Sequence, residues 1–393
     1  MFELRYRMAR LPKSLFGSLN KDLKLIFASN LIGAFGDGLY AYIWPLYIRE
    51  LGADPAEVGV VFSVFFFVAA LTPLPGGFLA DRYDRKKLMI LGWLFWIPIP
   101  LVFSVAEHWT QMLPGAVLYG IMLSGPATSA YIATIAHKGK MTQTFTLIST
   151  GWWFGYIFSP AIGGYLSTTV GIRWVFRLSF ALFIGATISL LFIGNQHASS
   201  HSKQMASDPQ FKRKKILLWA ALFAAIFFVM NLFRAFVPQF FKDVLFFDEF
   251  QIGILGSLCF LGSAILSMSL GRIGDKRGKA SAVFISLILC FLSLISLVSF
   301  SNFFLLSIAS FIMGASYPFW SLMGAVVGSI APGASRGRWM SVAQTISLLA
   351  AFFAPYLGGL LYDSSPYNPF IIAIVITPML SVLALTKPLK EER

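Results

Sequence analysis

Gly77-Phe-Leu-Ala-Asp81-Arg82-Tyr-Asp84-Arg85-Lys86-Lys87 and Gly271-Arg-Ile-Gly-Asp275-Lys-Arg277-Gly278-Lys279 are two versions of one phrase. Gly77 and Gly271, Asp81 and Asp275, Arg85 and Lys279 each stand 194 residues apart, almost half of a 393-residue chain. A second pair, Ser159-Pro160-Ala-Ile-Gly163-Gly164 and Ala354-Pro355-Tyr-Leu-Gly358-Gly359, repeats at a spacing of 195. Two independent phrases at offsets one residue apart make the chain a parallel repeat of two halves.

Each phrase lies within or between long apolar runs. Hydrophobic residues make up 57% of the chain and charged residues 12%, with 40 phenylalanines, whereas a soluble domain carries about a quarter charged residues. No soluble core hides that much apolar surface, so lipid is the main solvent. Runs long enough to span a bilayer fall at 25–49, 57–80, 88–106, 111–136, 143–168 and 174–195 (helices 1 to 6), then at 216–241, 250–271, 280–300, 303–330, 340–362 and 367–386 (helices 7 to 12). The expected fold class is an all-α integral membrane protein with twelve transmembrane helices in two six-helix bundles. The repeat phrases then fall in the helix 2–3 and helix 8–9 loops and in helices 5 and 11.

A formal charge of +14 raises the question of nucleic acid, but the bases are sorted by loop. With the N-terminus inside, 26 of the 31 lie in inner segments and four (Arg49, Arg173, Arg177, Lys242) in outer ones, leaving Arg234 within a helix. That is the positive-inside pattern, with both termini cytoplasmic, and no nucleic-acid motif accompanies it. The expected organisation is a basic tail 1–24, a bundle 25–195, a hydrophilic linker 196–215, a bundle 216–386 and a tail 387–393. The first 24 residues hold no signal-peptide core. The compact length without targeting extensions gives the expectation of a bacterial or archaeal plasma membrane. Cys259 and Cys290 fall inside helices, where a thiol is a small apolar filler. His197 and His201, four apart, sit in a Ser- and Gln-rich linker, which favours a solvated segment over a zinc site. No metal or cofactor is expected.

At the Gly77 and Gly271 phrases the sequence resembles the major facilitator superfamily, whose signature G-x-L-A-D-R-x-G-R-K lies between helices 2 and 3 with a weaker copy between helices 8 and 9. The twelve-helix layout extends the resemblance over essentially the full length. It implies two bundles rocking around a central cavity lined mainly by helices 1, 4, 7 and 10. Independently of any family, Gly77 and Gly271 permit close helix approach, and Asp81, Arg82, Arg85, Asp275 and Arg277 can form charge-assisted bonds at the cytoplasmic face. They read as a gate latch, or else as bases that only enforce topology. Asp84 replaces the signature's second glycine, and the acid that often meets the motif arginine near helix 4 is not evident.

Gly155-Tyr-Ile-Phe-Ser159-Pro160-Ala-Ile-Gly163-Gly164 resembles G-x-x-x-G-P-x-x-G-G of the family's antiporters, with Ser159 for a glycine. With Pro355, Gly358 and Gly359 it forms the expected hinge motif of helices 5 and 11. This tilts direction toward export, although proline and small residues also kink and pack membrane helices whatever is carried. Helix 4 lacks the arginine that many proton-driven exporters carry there.

Chemistry is expected where an ionisable residue sits deep in the bilayer, since it is costly there and usually turned inward. Asp37 lies mid-helix 1, with Asn30, Tyr40 and Trp44 at three- and four-residue steps on its face and Gly36 and Gly38 loosening the helix. Arg234 lies in helix 7 with Asn231 three residues before it. Across a cavity the two charges can pair and exchange that pairing for substrate or a proton; a fixed ion pair, or an arginine that snorkels outward, is the plainer alternative. Tyr119 and Tyr131 of helix 4 and Tyr317 and Trp320 of helix 10 suit an amphipathic or aromatic ligand, though most membrane aromatics merely pack. The candidate binding set is therefore Asp37, Arg234, Asn231, Tyr40, Trp44, Tyr131, Tyr317 and Trp320.

The function expected is alternating-access movement of a small amphipathic solute, with export favoured and protons as a candidate coupling ion, by a chain acting as a monomer among membrane lipids. Nutrient uptake and lipid or lysolipid flipping are the alternatives within transport. A membrane-embedded enzyme would need a catalytic constellation, and none is visible: no H-E-x-x-H, nucleophile elbow or phosphate-binding loop.

Overall fold

The computed structural model describes residues 19–136, 141–196, 213–331 and 336–386. The tail up to residue 18, Lys138 and Lys140, most of the linker with His197 and His201, and the tail 387–393 lie outside the described residues. The described chain folds into twelve helical rods, and no strand occurs among the described residues.

Six rods are continuous: helix 5 (Met141–Val170), helix 6 (Ile172–Leu191), helix 8 (Glu249–Arg277), helix 9 (Lys279–Ser299), helix 11 (Arg336–Ser364) and helix 12 (Asn368–Ala384). The other six are broken, mostly where proline withholds an N–H and enters the first turn of the next segment. Helix 1 runs Lys21–Ala41 and restarts at Trp44–Glu50 around Pro45; helix 7 runs Arg213–Arg234 and restarts at Val237–Asp243 around Pro238. Helix 2 (Pro55–Leu71, Pro73–Arg82) and helix 3 (Arg85–Trp96, Pro98–Val105) break in the same way. Helix 4 is interrupted between Leu113–Gly120 and Ser124–Ile135, and helix 10 between Phe303–Met313 and Phe319–Ile330. Pro160 and Pro355 sit inside unbroken helices. Among the described residues, eight rods are long and apolar enough to cross a membrane, or nine with the bent helix 2; helix 12 is shorter.

The repeat read from the signature phrases recurs in features no phrase contains. Helix 2 opens with a capping box, Asp54 with Glu57, and helix 8 opens with its counterpart, Asp248 with Gln251. Just before each box one residue adopts the left-handed backbone: Gly52 in the first half, Phe246 in the second.

The signature phrases are less loop-like than the sequence suggests. Helix 2 continues to Arg82, Asp84 caps helix 3 by accepting from Lys87 N at 3.0 Å, and helix 8 runs through Asp275 to Arg277, ending at the positive-φ Gly278. Glycine in that conformation at a helix end carries no Cβ penalty.

The halves meet most closely at the end of the molecule away from these phrases. There helices 5 and 11 replace side chain by backbone contact. A Cβ on Gly163 would strike the Leu39 carbonyl, and one on Gly358 the Leu232 carbonyl. Gly164 and Gly359 abut the Glu249 and Pro55 carbonyls of the opposite halves, and Gly253 and Gly59 abut Pro160 and Pro355. The hinge glycines thus serve as close-packing points on both sides of a pseudo-twofold axis. Further along, helices 2 and 11 still touch through Ala69, Ala70 and Leu348 and through Phe67 on Phe352 at 5.3 Å.

At the signature end the halves part. A Cβ on Gly77 or Gly271 would meet nothing within 4 Å, and Asp81, Arg82, Asp275 and Arg277 are exposed. Among the described residues, neither glycine is therefore the point of close helix approach that was expected. Arg82 lies over the Phe78 ring at 4.0 Å. Arg85, left without its usual acid, donates to Ala130 O (3.1 Å), Thr134 Oγ1 (2.6 Å) and Gln196 Oε1 (2.8 Å), while Lys86 donates to the Leu191 and Ile193 carbonyls. Among the described residues, Arg85 and Lys86 thus tie helix 3 to helices 4 and 6 of their own half.

Candidate functional site

A cavity of about 370 Å³ lies between the halves, bordered by the breaks in helices 1 and 7. Helix 1 contributes Tyr42, Trp44 and Pro45, helix 2 Phe62, Phe65 and Phe66, helix 4 Tyr119, and helix 5 Trp152, Trp153 and Tyr156. The second half contributes Asn231, Arg234, Ala235 and Pro238 from helix 7, Phe260 from helix 8, Tyr317 from helix 10 and Pro355 from helix 11. Helices 1 and 7 line it as expected, but helices 2 and 5 supply more of the wall than helices 4 and 10. A neighbouring cavity of about 170 Å³, walled by Ile226, Phe227, Met230, Ser316, Phe319 and Trp320, shares Arg234 and Tyr317 with it.

Asp37 stands behind the wall rather than in it. Only 1% of it is exposed. Tyr119 Oη donates to Oδ1 at 2.6 Å and Tyr156 Oη donates to Oδ2, so two cavity-lining phenols hold the carboxylate from helices 4 and 5. Paired hydroxyl donors are what a buried carboxylate needs in place of water. The flanking glycines admit these neighbours. Gly38 packs on Ser159 of helix 5, and Gly36 on Leu182 and Phe183 of helix 6, where Ser179 donates to its carbonyl at 2.7 Å. Gly36 and Gly38 therefore give close packing, not looseness; helix 1 runs unbroken through both and yields only after Ala41.

Arg234 does not pair with Asp37. Its Nη2 donates to Ser316 O (3.2 Å) and Ser316 Oγ (3.3 Å), and the guanidinium lies over the Tyr317 ring at 4.4 Å. Each charge is turned toward helix 4, 5 or 10 of its own half, so the cross-cavity pair considered from sequence is not made. Two ring contacts bridge them instead: Tyr156 lies 4.7 Å from Phe260, and Phe260 lies 5.2 Å from Tyr317.

The remaining candidates divide. Trp44 lines the cavity and stacks on Phe103 at 5.3 Å. Asn231 lines it too, but its amide donates to Phe227 O of its own helix at 2.7 Å. Tyr317 borders both cavities and Trp320 only the smaller one. Tyr40 is enclosed within its own bundle against Phe103 and Phe176. Tyr131 lies outside both cavities, near the signature end, donating to Asp22 Oδ2 (2.6 Å) and Gly194 O (2.9 Å). Helix 4 breaks between Gly120 and Ser124, which separates Tyr131 from the segment that carries Tyr119.

Tyr156 is the functional candidate the sequence reading passed over. It sits beside Gly155 in a phrase read for its glycines and proline, as an export-type motif or as packing; the aromatic run Trp152-Trp-Phe-Gly-Tyr156 in mid-membrane is the signal for it.

Comparison with known proteins accords with this architecture. The Major Facilitator Superfamily model matches residues 26–249 and 218–393. Multidrug resistance protein 2 of Bacillus subtilis is 25% identical over 389 residues, spanning 95% of this chain and 96% of that protein. Multidrug resistance protein MdtG of Proteus mirabilis is 26% identical over 320 residues, spanning 76% and 78%. Among solved structures, the peptide transporter POT superposes with a TM-score of 0.77 at 13% identity, covering 93% of each chain. A variant of the nucleoside transporter NupG gives 0.75 at 14% identity, covering 93% of this chain and 98% of that one. Twelve rods in two repeated halves, a cavity between them and a family match over nearly the whole length lead to one conclusion: this chain is a multi-pass membrane transporter belonging to the Major Facilitator Superfamily.

Proposed function

We propose that the protein exports a small amphipathic solute from the cytoplasm, exchanging it for protons taken up at Asp37. The observation that carries this reading is the placement of Asp37. It is 1% exposed, forms no ion pair among the described residues, and is held by two phenols, Tyr119 and Tyr156, whose rings wall the cavity.

The sorting of basic residues among the loops supports a cytoplasmic signature end; on that reading the halves are parted toward the cytoplasm and closed on the far side. A solute enters from the inner side and settles against the aromatic wall. An ionised Asp37 is satisfied by the two phenol donors. When the far side has opened and a proton reaches Asp37, its charge is cancelled and both bonds weaken, so Tyr119 and Tyr156 are released toward the cavity as the solute leaves. Proton and solute then compete through shared tyrosines without touching the same atoms, which is a coupling between sites by differential contacts. The multidrug resistance relatives support the outward direction.

The test is transport in proteoliposomes with a panel of amphipathic cations, anions and neutral solutes, with and without an imposed pH gradient, for the wild type and Asp37→Asn. Gradient-driven movement that Asp37→Asn abolishes is the expected result. Undiminished gradient-driven movement in Asp37→Asn would remove Asp37 from the mechanism, and movement only down the solute's own gradient would remove the proton.

A further inference from the structure

Arg234 is the single charged residue lining either cavity. Of its five N–H donors, only those on Nη2 find acceptors among the described residues, both on Ser316 and both long at 3.2 and 3.3 Å. No carboxylate pairs with it among the described residues, and Asp37, the buried acid of the opposite half, has both oxygens occupied by tyrosines. A guanidinium left this way deep in a membrane protein is costly unless something completes its bonding.

We infer that the ligand completes it: the solute is an organic anion whose planar acidic group, a carboxylate or its equivalent, binds Arg234, while its compact apolar body fills the aromatic cavity. This rests on the reading of that cavity as the solute site and names the class of solute it takes. The geometry gives three reasons. The guanidinium presents a fork that matches a planar oxyanion with two parallel bonds. Arg234 stands where the two cavities meet, so an acid seated on it has apolar space on both sides. A cavity of about 370 Å³ lies in the range of small-molecule sites, which suits a fused-ring or similarly compact body.

The competing ligand is a lipophilic cation, which the exposed aromatic faces would attract. The face of Tyr317, which borders both cavities, is already occupied by Arg234 at 4.4 Å. The acid that would neutralise such a cation is sealed behind Tyr119 and Tyr156. A cation in this cavity would meet an unpaired positive charge at low dielectric, where repulsion is strong.

The experiment is calorimetric titration of the protein in phosphatidylcholine nanodiscs with three ligands of one shape: 2-naphthoate, 2-naphthamide and (2-naphthylmethyl)trimethylammonium. Naphthoate is expected to bind at least ~10-fold tighter than the amide, with the ammonium weakest. Arg234→Gln should weaken naphthoate about 10-fold or more, as loss of a bidentate charge-assisted pair does, and change naphthamide by no more than about 3-fold. Arg234→Lys, which keeps the charge without the fork, should fall between them, and it carries the test if the glutamine variant does not fold. Oleate separates a membrane-derived anion from a soluble one: weaker Arg234-dependent binding than naphthoate supports the compact body, and tighter binding overturns that part.

The inference is overturned if the ammonium binds as well as naphthoate, if no ligand binds, or if Arg234→Gln leaves naphthoate unchanged. Gradient-driven transport of a cation with naphthoate unbound would sink this inference and leave the export reading intact. Arg234-dependent naphthoate binding without gradient-driven transport would do the reverse.

Discussion

Asp37 and Asn231 occupy one position of the repeat, 194 residues apart on helices 1 and 7, and only the first carries a charge. Tyr40 and Arg234 are likewise repeat equivalents. Each half therefore holds one acidic or basic side chain at the site, Asp37 in the first and Arg234 in the second, at different levels of an otherwise symmetric frame. Asn231 satisfies itself on its own helix by donating to Phe227 O at 2.7 Å, whereas Asp37 needs donors from two other helices and finds them in Tyr119 and Tyr156. The asymmetry separates the two tasks proposed above: a proton site behind the wall in one half, an anion site at the wall in the other.

From this follows a contrast in stability. Asp37→Ala leaves two phenols without their acceptor, and removal of the partner from a buried donor costs about 1–3 kcal/mol per group. Asp37→Asn keeps one carbonyl oxygen for Tyr119 or Tyr156 and should lose roughly half as much. Asn231→Ala forfeits a single bond, about 1 kcal/mol. Apparent melting temperatures at one fixed scan rate in detergent should therefore rank wild type, Asn231→Ala, Asp37→Asn, Asp37→Ala from highest to lowest. Asp37→Ala as stable as wild type would mean that the tyrosines find other partners.

Gly164 and Gly359 should respond alike. Alanine in a helix normally stabilises by up to about 1 kcal/mol relative to glycine, but here each new Cβ would meet a backbone carbonyl of the opposite half, of Glu249 or Pro55, that no rotamer change can move aside. Overpacking of this kind costs about 1–3 kcal/mol, and it falls on the arrangement closed at the far end. Gly164→Ala and Gly359→Ala should shift the protein toward the alternative arrangement. Cysteines introduced at the far end should become more reactive to a membrane-impermeant maleimide, and those at the signature end less so. Unchanged labelling in both variants would show that the glycines pack without setting the conformational balance.

Arg85 should matter for the integrity of the first half rather than for contact between halves. One nitrogen reaches Ala130 O, Thr134 Oγ1 and Gln196 Oε1, linking helix 3 to helix 4 and to the chain leaving helix 6. Bonds from a charged donor contribute about 1.5–3 kcal/mol, discounted here because Thr134 is exposed to solvent. Arg85→Gln is expected to raise proteolytic nicking between helices 6 and 7 while leaving maleimide labelling at the far end as in wild type. A far-end change instead would restore the latch role that the signature phrase suggested.

The twelve rods and the repeat were legible because lipid imposes a long apolar run on every span and because two phrases recur at nearly one offset. Cavity membership was not. It depends on which side of a rod faces inward and on where rods break, and neither has a simple period. Tyr131 and Tyr119 look equivalent in a linear reading of helix 4, yet the interruption at 121–123 sends one to the cavity and the other to Asp22. Asp37 and Arg234 were legible as rare buried charges, but their partners were not, since a tyrosine hydroxyl leaves no mark in sequence to say that it donates to a carboxylate on another helix. Applying the 194-residue offset to helices 1 and 7 would have exposed the Asp37–Asn231 and Tyr40–Arg234 equivalences directly.

The same offset relates Gly52 to Phe246, both in the left-handed backbone at φ 89° and 57° just before the capping boxes of helices 2 and 8. For a residue with a side chain that conformation costs about 1–2 kcal/mol, and Phe246, 85% exposed, gains little burial in return. Phe246→Gly should remove the penalty at a smaller entropic cost of about 0.5–1 kcal/mol, leaving a net stabilisation on the order of 0.5–1 kcal/mol. Gly52→Ala should do the opposite and destabilise by about 1–2 kcal/mol, even though a Cβ there would meet nothing within 4 Å. Because space is open at Gly52, any loss is conformational and not steric. Half-lives of the detergent-solubilised protein at one elevated temperature would check the pair: longer than wild type for Phe246→Gly and shorter for Gly52→Ala. If Phe246→Gly instead shortened the half-life, the ring would be held by a contact within the protein that offsets the cost of its backbone.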